Sequence, residues 1–154
     1  MGAVIAYNHE SYSACLPELM ALYPEHYEEL SVTKDAYALD PDYEAYARMD
    51  ATGILHLVTA RDDGALVGYI MAMTMPNLHY RTCRMAVEDI YFLRKPYRKG
   101  RTGIRLFQYF ERRMREIGVN RIVVTTKVHL DNSRLFDYLG YTFFERGYTK
   151  MLGV

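Results

Sequence analysis

Residues 89–103 read DIYFLRKPYRKGRTG, and this stretch decides the fold. An apolar run ends at Leu93, a basic turn containing Gly100 follows, and an amphipathic helix begins near Gly103. A turn that leads into a helix can aim several backbone amides at one point, at the positive end of the helix dipole. The stretch therefore favours a site for a phosphate or pyrophosphate, as carried by a nucleotide-like cofactor.

The helix after this turn has the clearest periodicity in the chain. Its apolar positions recur at helical spacing: Gly103, Phe107, Phe110, Met114 and Ile117. Gly118 predicts the C-terminal end of the helix. Residues 121–127 are rich in β-branched side chains and predict a strand. The unit 85–127 is therefore expected to be a strand, a helix and a parallel strand joined by a right-handed crossover.

The residues before this unit predict a meander of antiparallel strands. Strands are expected at 54–60, 65–75 and 85–93, where apolar and β-branched residues dominate. The first two are separated by Arg-Asp-Asp-Gly at 61–64, which contains the Asp-Gly dipeptide favoured in tight hairpins.

The N-terminal third predicts one strand and two helices. Residues 3–5 form a short apolar run, which is typical of a strand. Residues 14–23 place apolar side chains on one helical face, and Pro24 is expected to end or kink that helix. A second helix is expected to begin with Asp40 as its N-cap, followed by a proline in the first turn, and to end near residue 51.

The C-terminal residues predict a short helix and two further strands. The helix is expected over 131–139, capped by Asp131 and closed by Gly140. Strands are expected at 141–145 and 148–152. The element order then predicts a single α/β (α+β) domain over the whole chain. Its sheet is expected to be mixed, mostly antiparallel and six- to seven-stranded, with helices on both faces.

The charge balance gives no general attraction to nucleic acid or to anionic membranes. The chain has 154 residues with 19 basic and 19 acidic side chains, and its local basic excess lies at 94–105. The longest apolar run, 66–75, is about half the length that spans a bilayer. The first residues also lack the basic start of a signal peptide. We expect a cytoplasmic protein without nucleic-acid or membrane partners.

The cysteines and histidines do not predict a metal site. Cys15 and Cys83 lack the spacing of metal ligands and are expected to be free thiols. None of the five histidines has another histidine four residues away, and no metal is expected.

The turn and the element order resemble those of the GCN5-related N-acetyltransferase (GNAT) superfamily. The phosphate-binding signature of that family reads Gln/Arg-x-x-Gly-x-Gly/Ala and lies between a central strand and a helix. The residues from Arg98 to Gly103 match its first and last positions. Arg101 replaces the middle glycine, and Gly100 stands one place earlier.

A second feature of that family is an asparagine that starts a short helix ending in an aromatic and Leu-Gly run. Asn132 matches the asparagine, and residues 135–141, LFDYLGY, match the run. The tyrosine that often protonates the leaving thiolate in this family falls on Phe136. The chain also resembles acetyltransferase-like proteins of tailed phages, which would place it in the host cytoplasm.

The resemblance implies an acetyl-CoA site where the strands at 85–93 and 121–127 splay apart. Backbone groups of two strand residues would pair with the pantetheine arm as a further strand would, and the turn would hold the pyrophosphate. The implied cofactor-binding residues are Phe92, Leu93, Arg98, Lys99, Gly100, Arg101, Thr102, Gly103 and Asn132.

Transfer to an amine requires a group that accepts the amine proton. Glu88 and Asp89 are the candidates, and strand alternation places them on opposite faces. Asp89 is favoured because alternation puts it on one face with Tyr91 and Leu93, unless a bulge intervenes. An ion pair or a turn contact is an equally good interpretation of either carboxylate.

The leaving thiolate requires a proton donor or a hydrogen bond. Because Phe136 occupies the usual position, Tyr138 and Tyr148 are the substitutes, although a packing role suits each of them as well. His79 is expected near the acceptor mouth, as a substrate contact, a base or an ordinary loop residue.

The main hypothesis is an N-acetyltransferase that moves acetyl from acetyl-CoA to an amine by direct attack in a ternary complex. The acceptor, a small molecule or a protein, would lie under residues 24–51 and 76–84. A homodimer through the C-terminal strands is expected from the resemblance. The alternative is a catalytically degenerate GNAT-fold module that binds a partner in a phage particle or a host factor.

Overall fold

The structure is a computed structural model that describes residues 4–153. Within this range it has five strands, four α-helices and one 3₁₀ turn. In chain order they are β1 (Ile5–Glu10), α1 (Tyr12–Leu30), α2 (Tyr43–Ala51), β2 (Leu55–Asp62), β3 (Ala65–Pro76), β4 (Arg84–Leu93), the 3₁₀ turn (Lys95–Tyr97), α3 (Thr102–Glu116), β5 (Arg121–Val123) and α4 (Ser133–Leu139).

The five strands form one sheet in the order β1-β2-β3-β4-β5. Neighbouring strands are antiparallel except β4 and β5, which are parallel. The predicted fold class, a mixed and mostly antiparallel sheet with helices, is therefore confirmed. No helix in the described part of the chain combines the length and the apolar character needed to cross a bilayer.

Helices cover both faces of the sheet because alternate strand residues point to opposite sides. On one face, Val58 of β2 packs in a core with Phe110 of α3 and Phe136 of α4. On the other face, Leu57 of β2 packs in a core with Leu19 of α1. Neighbouring residues of β2 thus belong to different cores.

The hairpin between β2 and β3 is confirmed. Asp63 and Gly64 both have positive φ angles, 45° and 83°. Two consecutive residues of positive φ are the requirement of a type I′ turn, whose twist matches the flanking strands.

Pro24 was expected to end or kink helix α1; the helix does not end there but continues to Leu30 with Pro17 and Pro24 inside it. Each internal proline removes one backbone hydrogen bond. The helix tolerates this loss because Tyr23 and His26, next to Pro24 in the last turns, are buried against the sheet.

Two other N-terminal boundaries differ from the prediction. Helix α2 begins after Asp42 rather than Asp40, because the Asp42 carboxylate accepts a hydrogen bond from the Ala45 amide at 2.8 Å. Strand β1 extends to Glu10. Its last three residues are polar, so the run of apolar residues did not predict this part of the strand. Ala3, at the start of the predicted strand, lies outside the described residues.

The C-terminal strands predicted at 141–145 and 148–152 do not form in the described part of the chain, and β5 stops at Val123 instead of residue 127. The sheet accordingly has five strands rather than six to seven. A three-residue β5 offers an edge with few backbone groups for another strand to pair with. The homodimer expected through these strands stays a prediction.

The short C-terminal helix forms, but the predicted cap at Asp131 is wrong. The N-cap is Asn132, whose side chain makes no capping hydrogen bond, while an oxygen of Asp131 accepts the Ser133 amide at 2.9 Å. Gly140 closes the helix in the left-handed conformation with φ 85°.

Candidate active site

Strand β4 contains a β-bulge at Asp89. Met71 of β3 pairs with Ile90, and the next residue, Ala72, pairs with Glu88, so Asp89 has no partner on β3. A bulge of this kind breaks the alternation of side chains and re-aims the extra residue.

Because of this bulge, the predicted orientation of Asp89, on one face with Tyr91, is wrong. Its carboxylate accepts a hydrogen bond from the Tyr46 hydroxyl of α2 at 2.6 Å. Tyr91 instead packs edge-on against Phe107 and Phe136, on the opposite face of the sheet. Asp89 therefore does not share a face with Tyr91, because the inserted residue shifts the alternation by one.

A cleft opens where β4 and β5 separate, and we call it the strand cleft. The two strands pair only over residues 85–87 and 121–123. The cleft has a volume of about 390 Å³. Residues predicted for the cofactor line it from end to end: Phe92, Leu93, Arg98, Gly100, Gly103 and Asn132. Lys99, Arg101 and Thr102, which were also predicted to bind the cofactor, do not line it.

The turn before α3 presents free backbone donors. Gly100 has φ 78°, a backbone conformation that favours glycine. The turn therefore has its glycine at residue 100, one residue before the position of the middle glycine in the family signature. The amides of residues 99–103 have no acceptor within the described part of the chain. They lie at the N-terminal, positive end of α3, where free backbone amides can bind phosphate groups.

Arg98 is held by the protein rather than directed freely into the cleft. Its Nε donates to the Leu93 carbonyl at 2.6 Å, and its guanidinium pairs with both carboxylate oxygens of Glu29 at 2.5 and 2.8 Å. This contact lowers the pKa of Glu29. The carboxylate neutralises Arg98, which leaves the backbone amides as the main anion-binding feature of the turn.

These features fit the chemistry of coenzyme A. The edge of β4 facing away from β3 has no strand partner after Val87 among the described residues, so it can pair with the amide groups of a pantetheine arm. The free amides before α3 suit a pyrophosphate. A Cβ at Gly103 would lie 3.8 Å from a methyl group of Leu93, which is an ordinary van der Waals distance, so a small side chain would fit at this position.

Two polar side chains of β4 span the gap between β4 and the segment after β5. Glu88 accepts hydrogen bonds from the backbone amide and the hydroxyl of Thr125 at 2.9 and 2.8 Å. Tyr91 donates to the Thr125 carbonyl at 3.0 Å and accepts from the Asn132 side-chain amide at 3.1 Å. Burial raises the pKa of Glu88 and of Tyr91, so the Tyr91 hydroxyl keeps its proton at neutral pH.

A second cavity, of about 600 Å³, lies between α1, α2 and β4, and we call it the tyrosine cavity. Its walls include four tyrosines: Tyr23, Tyr27, Tyr37 and Tyr46. Asp89 lines both this cavity and the strand cleft. Burial, with the Asp89 hydrogen bond as a second cause, raises the pKa of Tyr46, so this tyrosine remains a donor to the carboxylate.

His26 also lies between the two spaces. Its Nδ1 is 2.6 Å from the Tyr69 hydroxyl, and its ring stacks on Phe92 with centroids 4.9 Å apart. Burial lowers the pKa of His26 to about 4, which keeps the imidazole neutral at physiological pH.

Several sequence-predicted residues lie away from both spaces. Tyr138 is 62 % exposed and Tyr148 is 93 % exposed, so neither is buried beside the cleft. Phe136, two residues before Tyr138 on α4, is buried in the core, whereas Tyr138 is exposed to solvent. The segment 76–84, with His79, does not line the tyrosine cavity, whereas 24–51 does.

The structure adds four residues that sequence reasoning missed: His26, Tyr46, Tyr91 and Thr125. His26 was missed because the helical pattern was recognised only over residues 14–23, before Pro24. The other three acquire their positions from the bulge and from the splay of β4 and β5, and these depend on strand pairing that no local pattern shows.

Sequence and structure comparisons agree with this geometry. A family model described as the acetyltransferase (GNAT) family matches residues 16–141. No curated protein sequence matches the chain. Three similar solved structures are a ribosomal-protein-alanine N-acetyltransferase from Brucella melitensis biovar Abortus 2308, the aminoglycoside acetyltransferase HMB0005 from an uncultured soil metagenomic sample, and a predicted acetyltransferase with acetyl-CoA from Clostridium acetobutylicum.

All three structures cover nearly the whole chain. The first has TM-score 0.73 and 15% identity, and the alignment covers 97% of this chain and 99% of that one. The second has TM-score 0.76 and 15% identity, with 97% and 99% covered. The third has TM-score 0.72 and 9% identity, with 97% of each chain covered. These TM-scores show that the four proteins have a common fold, and at identities this low the similarity shows nothing beyond the fold.

Proposed function

Because the chain belongs to the GNAT acetyltransferase family, we propose that it transfers the acetyl group of acetyl-CoA to an amine held in the tyrosine cavity. The observation that carries this proposal is the position of Asp89, a carboxylate in the wall shared by the strand cleft and the tyrosine cavity. A donor bound in one space and an amine bound in the other would meet at this residue, as direct attack in a ternary complex requires.

The strand cleft is the proposed site for acetyl-CoA. The amides of residues 99–103 would hold the pyrophosphate, and the free edge of β4 at Phe92 and Leu93 would hold the pantetheine arm. Asn132, at the start of α4, would contact the same arm. When bound, acetyl-CoA supplies the thioester whose acetyl group is transferred.

Asp89 is the proposed acceptor of the amine proton. Tyr46 donates to one of its oxygens and fixes the carboxylate at the wall, where its other oxygen can receive a proton. Glu88 lines only the strand cleft, and both of its hydrogen bonds go to Thr125. Glu88 is therefore proposed to position Thr125 rather than to act as the base.

Tyr91 is the proposed proton donor in place of the tyrosine that the family carries at Phe136. Its hydroxyl keeps a proton inside the strand cleft, and its ring packs against Phe136 with centroids 5.9 Å apart. It is thus next to the usual position of the acid, although it belongs to β4 instead of α4. Tyr138 has no such position.

The proposal is tested by comparing Asp89→Asn with the wild-type protein. We expect the variant to bind CoA with unchanged affinity in calorimetry, because the turn is untouched. We expect its kcat for amine acetylation, followed as release of free thiol, to fall about a hundredfold. Wild-type kcat in the variant would refute the role of Asp89, and absence of CoA binding by the wild-type protein would favour the non-catalytic binding module.

A further inference from the structure

The walls of the tyrosine cavity are mainly aromatic and apolar. Three of its tyrosine hydroxyls already donate to protein partners: Tyr23 to Tyr12 at 3.5 Å, Tyr27 to the Tyr37 carbonyl at 2.7 Å and Tyr46 to Asp89 at 2.6 Å. The remaining walls include apolar residues from several elements: Leu30, Leu39, Met49, Met73 and Ile90. A ligand in this cavity therefore meets mainly rings and apolar side chains.

Most acidic residues around the cavity are committed elsewhere. Glu25 pairs with Arg94 at 3.3 Å, Glu28 pairs with Lys34 at 3.0 Å, and Glu29 pairs with Arg98. The Asp42 carboxylate caps α2. These four carboxylates therefore have partners within the protein.

Two further carboxylates line the cavity. Asp89 lies in its inner wall, half-buried on β4, and Asp40 lies on the exposed loop before α2. Lys127 also lines the cavity and opposes a second positive charge on a ligand. A ligand with one ammonium group is matched by Asp89, whereas a further ammonium group meets only the exposed Asp40 and is opposed by Lys127.

From this arrangement we infer that the acceptor is a primary amine with a single positive charge, carried on a compact aromatic or apolar body. Its ammonium group would lie near Asp89 and against tyrosine rings, which attract cations through their faces. Its apolar body would fill the cavity, whose volume suits a small organic molecule. The inference rests on the proposed function and names its substrate class.

The test compares three acceptors with the wild-type protein: phenylethylamine, spermidine and the aminoglycoside kanamycin. We expect kcat/KM for phenylethylamine to exceed the values for both polycations by about tenfold or more, because each added ammonium group must be buried without a partner. Equal or higher kcat/KM for spermidine or kanamycin would overturn the inference.

A matched pair of substitutions tests whether the cavity sets this preference. Leu39→Glu adds a carboxylate to the cavity wall at a side chain that is 39% exposed, and Leu78→Glu makes the same change at one that is 94% exposed and outside the cavity. We expect the first variant to reduce the preference for phenylethylamine over spermidine about tenfold, and the second to leave it unchanged. Equal preferences in the two variants would contradict the inference.

Direct binding separates failure of the inference from failure of the proposed function. Phenylethylamine is titrated into the protein without CoA and followed by calorimetry. Saturation with loss of affinity in Asp89→Asn supports the inference even if no amine is acetylated, in which case only the proposed function fails. Absence of saturation, with CoA binding intact, overturns the inference alone.

Discussion

Gly68 shows how one missing side chain shapes the strand cleft. A Cβ at this position would lie 2.6 Å from a methyl group of Leu93 and 2.9 Å from the Phe92 carbonyl oxygen. The second contact is with backbone, which cannot rotate away. Glycine therefore lets β3 approach β4 closely at the residues proposed to pair with pantetheine.

Gly68→Ala is expected to displace the end of β4. We predict a loss of about 1–3 kcal/mol in the free energy of unfolding, measured in urea, together with weaker CoA binding. Gly147→Ala is the control, because a Cβ there would have no atom within 4 Å. Equal stability and CoA affinity in the two variants would contradict the proposed close approach.

Tyr91 and Tyr138 give a second test at the residue scale, because one lines the cleft and the other is exposed. Tyr91→Phe keeps the ring packing and removes the proposed acid, so we predict about a hundredfold lower kcat with CoA affinity retained. Tyr138→Phe should leave both quantities unchanged. A loss of kcat in Tyr138→Phe alone would restore the assignment predicted from the sequence.

At the scale of elements, a partly buried ion cluster joins β1, α1 and β2. Arg61 of β2 pairs with Glu10 of β1 at 2.9 Å and with Glu18 of α1 at 2.7 Å; the Arg61 side chain is 13% exposed and that of Glu18 is 42% exposed. Removal of Arg61 leaves both carboxylates without their partner.

Arg61→Ala is accordingly predicted to lower the free energy of unfolding by about 1–3 kcal/mol, because the two carboxylates left behind are partly solvated. Arg48→Ala breaks an exposed pair with Glu44 on α2 and should cost less than about 0.5 kcal/mol. Urea denaturation of both variants measures the difference. Similar losses would show that the Arg61 cluster does not connect the three elements energetically.

His26 makes the contact of α1 with the sheet sensitive to acid. The pKa of His26 is about 4 in the folded protein, whereas its ordinary value, which we take for the unfolded chain, is 6.5. Between pH 4 and pH 6.5 the unfolded chain therefore binds more protons than the folded protein. Stability from this group is therefore complete above pH 6.5 and falls as the pH drops toward 4, by about 3 kcal/mol in total.

Substitution of His26 should remove this part of the pH dependence. We predict that the free energy of unfolding of His26→Gln changes less between pH 6.5 and pH 4 than that of the wild-type protein. His9 and His56 also have lowered pKa values, so the variant keeps a residual slope of the same sign. Equal slopes would show that His26 titrates normally in the folded state.

For the whole molecule, the parts with strong local patterns were predictable from the sequence. The helix after the basic turn is α3, with Phe107 and Phe110 on its buried face as its periodicity predicted. The three meander strands also form where alternation and the Asp-Gly turn placed them. In both cases the local pattern and the tertiary packing favour the same structure.

The errors occur where tertiary contacts override a local pattern. Buried aromatic residues carry α1 through Pro24, and the tail after Tyr141 finds no strand partner among the described residues despite its β-like composition. The site residues also divide into those that a local pattern identified and those whose position depends on tertiary contacts. The turn residues from Arg98 to Gly103 were identifiable, whereas the orientation of Asp89 depends on a bulge that only the pairing of β3 with β4 reveals.

The most direct test of the account is calorimetric titration of CoA into the wild-type protein and Gly103→Glu at low ionic strength. We predict saturable binding to the wild-type protein, because the amides of residues 99–103 are free to hold a pyrophosphate. The introduced carboxylate should abolish this binding while the thermal melting temperature stays nearly the same. Absence of saturation in the wild-type protein, or equal affinity in the variant, would contradict a diphosphate site at this turn.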